Sequence, residues 1–459
     1  MDQSVLLDAD LISRYDRAGP RYTSYPTAPH FSDDFTTTQY RRHAQAGDSR
    51  SPLSLYFHLP FCATVCFYCA CTKVITNNRK RAQPYLQRLY REIALQSELF
   101  GGRRVEQLHW GGGTPTFLSD AQMRELMQVT AEHFQLRADD QGEYSIEIDP
   151  READESTMQL LRELGFNRVS FGVQDFDAGV QRAVNRIQSE TQTRRVLDAA
   201  RSLGFRSASI DLIYGLPLQS VRTFSVTLDQ IIDASPDRIS VFNYAHLPHL
   251  FKTQKQIDAQ QLPVATEKLA ILAHVIEKLT GAGYVYIGMD HFARPDDDLA
   301  VAQREGTLQR NFQGYATHAS CDLVGMGMSA IGSVAGCYSQ NTRDIAAYCE
   351  HLDRGQLPII RGLELTYDDR VRRDAITRLM CDFALDKQAF AAHWEIDFDT
   401  YFTRELDELA TMANDGLVRH DERSIEVLQA GRLLVRNVCM VFDRYLQGSS
   451  NGKMYSRAI

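Results

Sequence analysis

The 459-residue sequence lacks three things: a long apolar run, an excess of positive charge, and a pairing pattern among its cysteines. No apolar stretch approaches the roughly 20 residues that a membrane-spanning helix needs. The opening residues, Met1 to Asp10, have neither the basic nor the apolar region of a secretory leader. Lys and Arg number 50 against 59 Asp and Glu, a formal charge of -9, which argues against a general nucleic-acid-binding surface. Any anionic ligand must then be met by arginines or lysines placed locally against the overall field. Of nine cysteines, four fall between positions 62 and 71, and Cys321, Cys337, Cys349, Cys381 and Cys439 are scattered. That is no secreted disulfide framework, and the cytoplasm is the expected compartment. A hydrophobic content of 44% and a charged content of 24% leave an ordinary globular chain, large enough for a catalytic domain with an added module.

The clustered cysteines carry most of the information. Cys62, Cys66 and Cys69 form a C-x3-C-x2-C run on a short aromatic-rich segment, with Cys71 two residues further on. Free cysteines can pack as small apolar residues, but four so close together are poorly explained that way. A structural zinc site would take Cys71 as a fourth ligand, although zinc ligands usually arrive as two separated pairs. Three thiolates on one loop suit a cubane iron–sulfur cluster whose fourth iron is left open. Cys69 and Cys71, one residue apart, would point to opposite sides of an extended chain, which leaves Cys71 outside the ligand set.

From about residue 53 the chain alternates β-rich runs with amphipathic helical stretches. Strands are expected at 53–58, 107–110, 144–148, 168–173, 208–213 and 239–244. Leu86, Leu89, Tyr90 and Ile93 repeat at helical spacing, and Ser119 with Gln122 forms a capping box that opens another helix. Leu164-Gly165-Phe166, Leu203-Gly204-Phe205 and Ala282-Gly283-Tyr284 each read as a helix closed by glycine and followed by a strand entered through an aromatic residue. Repeated strand–helix units imply parallel strands, in either a βα barrel or a wound sheet. Three segments are expected: an N-terminal arm (1–50), a catalytic α/β domain with its extension (51–364) and a mainly helical C-terminal domain (365–459). Residues 290–345 read as irregular and Gly-rich. The stretch 406–435 has a winged-helix-like outline, but its acidic balance favours a packing or lid role over DNA binding.

In a parallel barrel, chemistry collects at the C-terminal strand ends. The cysteine loop follows the first expected strand, and Gly111-Gly112-Gly113-Thr114 follows the second. Glu147, Gln174, Asp211 and Ala245 fall at or near the ends of the next four, and Arg186 follows shortly after Gln174. Carboxylates there can accept from ribose hydroxyls or an ammonium, and an arginine can grip a carboxylate with two parallel bonds.

Several segments resemble one enzyme family. They are Gly19-Pro20-Arg21-Tyr22-Thr23-Ser24-Tyr25-Pro26-Thr27, the cysteine loop, Trp110-Gly111-Gly112-Gly113-Thr114-Pro115-Thr116 and Asn243-Tyr244-Ala245-His246-Leu247-Pro248. Gly288-Met289-Asp290-His291-Phe292-Ala293-Arg294-Pro295 and Asn311-Phe312-Gln313-Gly314-Tyr315 belong with them. Together they resemble the oxygen-independent coproporphyrinogen III oxidase (dehydrogenase) family of the radical S-adenosylmethionine superfamily, from about residue 10 to the C-terminus. The family more often has Gly and Asn where this chain has Ala70 and Thr72.

The resemblance implies a partial (β/α)6 barrel and a [4Fe-4S] cluster on Cys62, Cys66 and Cys69. It implies two S-adenosylmethionine sites. Tyr56, Gly112, Glu147 and Ile331 would serve the molecule chelated to the cluster. Tyr68, Gly113, Thr114, Gln174, Arg186, Asp211 and Ala245 would serve the second. The implied reaction converts two propionates of coproporphyrinogen III into the vinyl groups of protoporphyrinogen IX. It uses a 5′-deoxyadenosyl radical to abstract hydrogen and releases CO2. An electron donor such as a flavodoxin or ferredoxin is implied, and a monomer is expected. Arg21 and Tyr22 are candidate substrate contacts, Arg21 for a propionate and Tyr22 for excluding water. The alternative is a haem chaperone with a similar core that binds haem without decarboxylation. Such relatives lack the Pro20–Thr27 segment and a cysteine at position 71.

Overall fold

The computed structural model describes residues 5–6, 8–15, 17–318, 320–446 and 455; Met1–Ser4 and Leu7 of the opening stretch lie outside these. The chain forms two compact units. The larger comprises Phe31–Val264 and Ser320–Glu364; the smaller comprises Met1–His30, Ala265–Ala319 and Leu365–Ile459.

The larger unit is built on six parallel strands: β1 (Leu53–Leu59), β2 (Arg104–Gly112), β3 (Glu143–Ile148), β4 (Arg168–Gln174), β5 (Ser207–Tyr214) and β6 (Arg238–Asn243). Each pairs in parallel with the next in the sequence. This strand order settles the choice the sequence left open. A wound sheet reverses direction at a switch point, whereas unbroken right-handed crossovers put every helix on the same face, as in a barrel. The crossover helices include Ala82–Phe100, Asp120–His133, Glu155–Glu163, Glu190–Ser202 and Val221–Ala234. The Ser119–Gln122 capping box is present, with both reciprocal bonds. Helices Glu155–Glu163 and Glu190–Ser202 end as expected: Gly165 and Gly204 have φ of 92° and 75°. The aromatic residue after each donates back to the last turn, Phe166 N to Leu161 O and Phe205 N to Ala200 O, both at 3.0 Å.

Burial in the strands alternates with period two. In β3, Tyr144, Ile146 and Ile148 are buried, while Glu143, Ser145 and Glu147 are partly open. In β5 the residues Ser209, Asp211 and Ile213 are the partly open set. Apolar side chains therefore serve one face of the sheet and polar ones the other.

The expectation of irregular structure over 290–345 is corrected within this unit. Asp322–Met326 (β7), Ile331–Val334 (β8) and Cys337–Asn341 (β9) extend the sheet, followed by Ile359–Glu364 (β10). β7 runs parallel to β1, and the pairings from β7 through β10 are antiparallel. Strands of four or five residues, joined by turns at Gly327 (φ 94°) and Gly336 (φ 82°), are too short to show an alternation in sequence. Their common anchor is Glu92, fully buried in helix Ala82–Phe100. It accepts from Gly327 N (2.7 Å), Asn341 Nδ2 (2.6 Å) and Tyr348 Oη (2.6 Å). Burial pushes this carboxyl up to about 7 despite the three donors.

In the smaller unit, helices Tyr367–Asp382, Lys387–Trp394 and Thr403–Asn414 accompany a three-stranded sheet of Ala384–Asp386, Ser424–Val427 and Val418–His420. The turn at Gly416 (φ 73°) and the two strands that follow match the outline read over 406–435; a 3-10 turn, Gln429–Leu434, precedes the last helix, Val435–Val441. The N-terminal segment up to His30 is woven into this unit. Asn437 Nδ2 donates to Tyr15 O (2.6 Å), Arg436 donates to the Gly19 and Pro20 carbonyls, and Tyr22 Oη donates to Asp443 (3.0 Å). Tyr22 is only 4% exposed. Arg21 pairs with Asp290 at 2.7 Å, and its carbonyl accepts from Arg310 Nε at 3.3 Å. Three of the segments singled out in the sequence, around Arg21, Asp290 and Asn311, are thus brought together. The rest of the expected arm behaves differently. Ser32 exchanges backbone bonds with Gly362, and helix Thr37–Ala46 belongs to the larger unit. No helix among the described residues is long and apolar enough to cross a membrane.

Because Tyr22 spends its hydroxyl on a buried carboxylate, Tyr22→Phe is expected to cost about 1–3 kcal/mol of stability, read as a lower urea midpoint with unchanged slope. An unshifted midpoint would show that this bond does not hold the segment.

Candidate active site at the strand ends

The cysteine loop leaves β1 and is held from several strand ends at once. After β2, Gly113 N donates to Leu59 O (2.9 Å) and Thr114 N to Phe61 O (2.8 Å). A Cβ at position 113 would lie 2.6 Å from the Pro60 carbonyl carbon, and one at Gly112 (φ 109°) 2.5 Å from the His58 ring. Only glycine permits this approach of the two chains. After β4, Val184 O accepts from Phe67 N (3.0 Å) and Asn185 Nδ2 donates to Val65 O (2.7 Å). After β6, Gln254 Nε2 donates to both Tyr68 O (3.0 Å) and Ala245 O (3.2 Å), which brings those two expected site residues to one amide. Thr253 Oγ1 donates to Cys69 O (3.2 Å).

Each thiol has its own polar surroundings. Cys62 Sγ accepts from Thr114 Oγ1 (3.5 Å). Cys66 Sγ faces two guanidinium groups, Arg186 Nη1 at 3.4 Å and Arg151 Nη2 at 3.7 Å. Both arginines are bound by Asp149, at 3.0 and 2.7 Å. Burial works to raise Asp149, but the two guanidinium groups hold it below the ordinary carboxylate range. Burial pushes the Cys62 thiol up to about 11. Cys69 is lowered, chiefly by the Cys71 thiol beside it, and the same contact pushes Cys71 up. The Lys73 ammonium donates to Cys69 O at 2.9 Å. Three thiols on one gripped loop, two of them facing N–H or O–H donors that strengthen once sulfur is ionised, fit a thiolate-held inorganic cluster. Asp149, Arg151 and Asn185 were not singled out in the sequence; Arg151 comes four residues after Glu147, and nothing local marks it.

The remaining expected residues lie on the polar face of the sheet. Glu147 accepts from Gly112 N (2.9 Å) and lies 3.4 Å from His109 Nε2. Burial works to raise it, but these two partners hold it below its usual range. Tyr56 stacks on His109 with ring centroids 5.8 Å apart and meets His58 Nδ1 at 3.1 Å. Tyr56 is in register with Gly325 of β7, where a Cβ would fall 2.5 Å from the Ile331 carbonyl oxygen; this is how Ile331 reaches the first strand. Asp211 accepts from Ser170 Oγ (2.9 Å) and stands opposite Ser240 in β6. Gln174 has φ 70°, and its Oε1 is buried without a hydrogen-bond partner among the described residues. Arg186 Nε and Asn243 Oδ1 are orphaned in the same way. Orphaned buried donors and acceptors at neighbouring strand ends are what a cradle for a polar ligand leaves when the ligand is absent.

The comparisons with known proteins bear on the fold and the family. The radical SAM superfamily model matches residues 56–231, so the fold and the cysteine loop define a radical SAM protein. The HemN C-terminal domain model matches residues 365–434. The oxygen-independent coproporphyrinogen III oxidase of Pseudomonas aeruginosa is 55% identical over 463 residues, covering all of both chains. That of Escherichia coli is 49% identical over all of this chain and 99% of its own length. The solved structure of E. coli coproporphyrinogen III oxidase (HemN) superposes with a TM-score of 0.92 at 48% identity, covering 96% of this chain and all of the other. The chain belongs to the oxygen-independent coproporphyrinogen III oxidase family, whose members use a [4Fe-4S] cluster and S-adenosylmethionine.

Asp211 makes the polar face testable in the ligand-free protein. Burial raises its carboxyl to about 6, from an ordinary value near 4. Between these values the folded chain binds more protons than the unfolded one, so stability falls as pH rises through this window. Asp211→Asn is expected to gain about 2–3 kcal/mol over the unsubstituted chain at pH 8 and almost nothing at pH 4, by urea unfolding. An equal difference at both pH values would show that the carboxylate is not strained.

Proposed function

We propose that this chain catalyses the oxygen-independent oxidative decarboxylation of coproporphyrinogen III to protoporphyrinogen IX in porphyrin biosynthesis. The observation that carries the reading is the gripped cysteine loop facing a row of unsatisfied polar atoms at the strand ends. A zinc reading would have to recruit Cys71. In this structure Cys71 is exposed and engaged with Cys69.

Cys62, Cys66 and Cys69 would hold the cluster, leaving one iron for the amino and carboxylate groups of S-adenosylmethionine. Bound there, the pair supplies hydrogen-atom abstraction at the β-carbon of a substrate propionate. The chain's own work is to bind, orient and shield. Tyr56, Gly112, Glu147 and Ile331 line the position of the first S-adenosylmethionine, with Glu147, held ionised by His109 and the Gly112 amide, ready to accept from an ammonium or a hydroxyl. Tyr68, Gly113, Thr114, Gln174, Arg186, Asp211 and Ala245 serve a second. Gln174 Oε1 and Arg186 Nε offer an acceptor and a donor not used among the described residues. Arg21 is a proposed propionate partner, because about a third of its side chain is exposed beside Asp290. Tyr22 is proposed to help exclude water, and its buried bond to Asp443 also fixes the segment that carries Arg21. The protein is proposed to act as a cytoplasmic monomer supplied with electrons by a flavodoxin or ferredoxin system. The haem chaperone alternative gains no support from the relatives, which carry the oxidase name over the full length of the chain.

Two measurements test this. Anaerobic turnover with S-adenosylmethionine should release CO2 and yield protoporphyrinogen IX, and haem binding without CO2 release would overturn the reading. Replacing Cys62, Cys66 or Cys69 with Ser should abolish the reconstituted cluster, whereas Cys71→Ser should retain it, by iron content and visible absorbance. Loss of the cluster in Cys71→Ser would bring Cys71 into the ligand set.

A further inference from the structure

Resting on the cluster reading above, we propose that the exposed turn Arg79–Arg81, with Ile75 beside it, is the docking face for a small acidic one-electron carrier protein that reduces the cluster.

The first observation is electrostatic. The turn leads directly into the 19-residue helix Ala82–Phe100, so Arg79, Lys80 and Arg81 gather at its N-terminal end. That is the positive end of the helix dipole, where anionic side chains stabilise and cationic ones do the reverse. The first turn of this helix holds no acidic residue, and Arg81 at the N-cap makes no capping bond with its side chain. Three adjacent positive charges thus stand where helix stability disfavours them, on a chain whose net charge is -9. For Lys80 and Arg81 the rule is broken without a local gain, which points to a function; Arg79 is also held internally, donating to Phe117 O at 2.6 Å. Arg79 is partly neutralised by Glu152 at 2.7 Å. Lys80 and Arg81 are exposed, with no carboxylate within ion-pair distance among the described residues.

The second observation is placement. The chain returning from the cysteine loop pairs with the start of that loop, Val74 N donating to Pro60 O (2.7 Å) and Thr76 N to Cys62 O (2.9 Å). Ile75 is in register with Cys62 and is 40% exposed. An exposed apolar side chain therefore stands one backbone rung from a proposed cluster ligand, with the basic turn four residues further on. An apolar centre with a charged rim is the anatomy of a protein contact surface, and complementary charge steers a transient partner into place.

The third observation concerns what fills the face. A recess of about 670 Å³ adjoins the turn, lined by Arg79, Arg151 and Arg195 with Asp120, Glu152 and Asp154 between them. Its signs balance, so it is no pocket for a free anion. The positive surplus lies on the exposed turn outside it, where a partner's surface can reach it. Arg151 spans from this recess to Cys66 Sγ at 3.7 Å, which makes the face continuous with the thiols. In the transfer itself one electron leaves the carrier's reduced flavin or iron–sulfur group and enters the cluster; no bond forms or breaks.

The test compares the reconstituted full chain with its Lys80→Glu/Arg81→Glu variant, using reduced flavodoxin as the probe. Glutamates at a helix N-terminus favour the helix, so the variant is expected to fold. Flavodoxin should bind the unsubstituted chain with an affinity that falls as salt rises, and the variant about tenfold or more weakly. Cluster bleaching by flavodoxin should slow in parallel, while bleaching by dithionite stays equal in the two proteins. Equal binding and bleaching by flavodoxin overturns the docking face and leaves the reaction assignment standing. A chain that takes up no cluster at all overturns both. If the charge reversal abolishes binding of a duplex oligonucleotide but leaves flavodoxin unaffected, the face serves a nucleic acid and the proposal fails.

Discussion

The buried charge pair of Arg186 and Asp149 is what the candidate site depends on. Arg186 is 7% exposed and Asp149 9%. One guanidinium meets Cys66 Sγ, Asp149 and the carbonyl of Gly172, and so ties the cysteine loop to the ends of β3 and β4. Desolvating such a pair is costly, and its attraction repays that cost only when the geometry is complete. Removing one partner leaves the other buried and uncompensated, typically a loss of about 3–5 kcal/mol. Here the geometry is completed by a third group, the thiol. A sulfur that becomes anionic adds favourable charge to a site that already holds two guanidinium groups and one carboxylate. The scaffold is prepared for thiolates before any metal arrives.

The parallel sheet supplies the rest. With every crossover on one face, helices cover the apolar side chains of β1 to β6, and the other face is free to be polar. That face carries Glu147, Gln174 and Asp211 on three consecutive strands. Water-accessible polar residues in a buried layer would normally be a liability. Here Gln174, Arg186 and Asn243 keep buried acceptors and donors without a hydrogen-bond partner among the described residues, capacity that a bound ligand would complete. The same economy appears at Glu92, where one buried carboxylate accepts three bonds and fixes the extension that brings Ile331 to the first strand.

Charge is distributed with purpose across this acidic chain. Its cations are used one by one: Arg186 and Arg151 at Cys66, Lys73 at the loop carbonyls, Arg436 on the backbone of the segment carrying Arg21. The Arg79–Arg81 turn is different, because Lys80 and Arg81 meet no carboxylate within ion-pair distance among the described residues and stand against the dipole of the helix they introduce.

What the sequence determined by itself follows from short-range physics. Cysteine spacing, period-two and helical alternation, the capping box at Ser119 and the glycine closures at Gly165 and Gly204 are each set within a few residues. They made the six strands and the loop chemistry legible before any coordinates. The strand end at Tyr244 was overrun by one residue, a difference that local propensity cannot resolve. Tertiary structure alone decided the rest. Strand order chose barrel over wound sheet, because crossover direction is not written in any one segment. β7 to β9 were invisible, since strands so short are stabilised by a partner far away in the chain. The segment around Tyr22 reads as an N-terminal arm, and only folding shows what holds it, a bond from Tyr22 to Asp443 from the far end of the sequence. Asp149 and Arg151 became site residues only when folding carried them to Cys66, because long-range charge pairing leaves no periodicity to read.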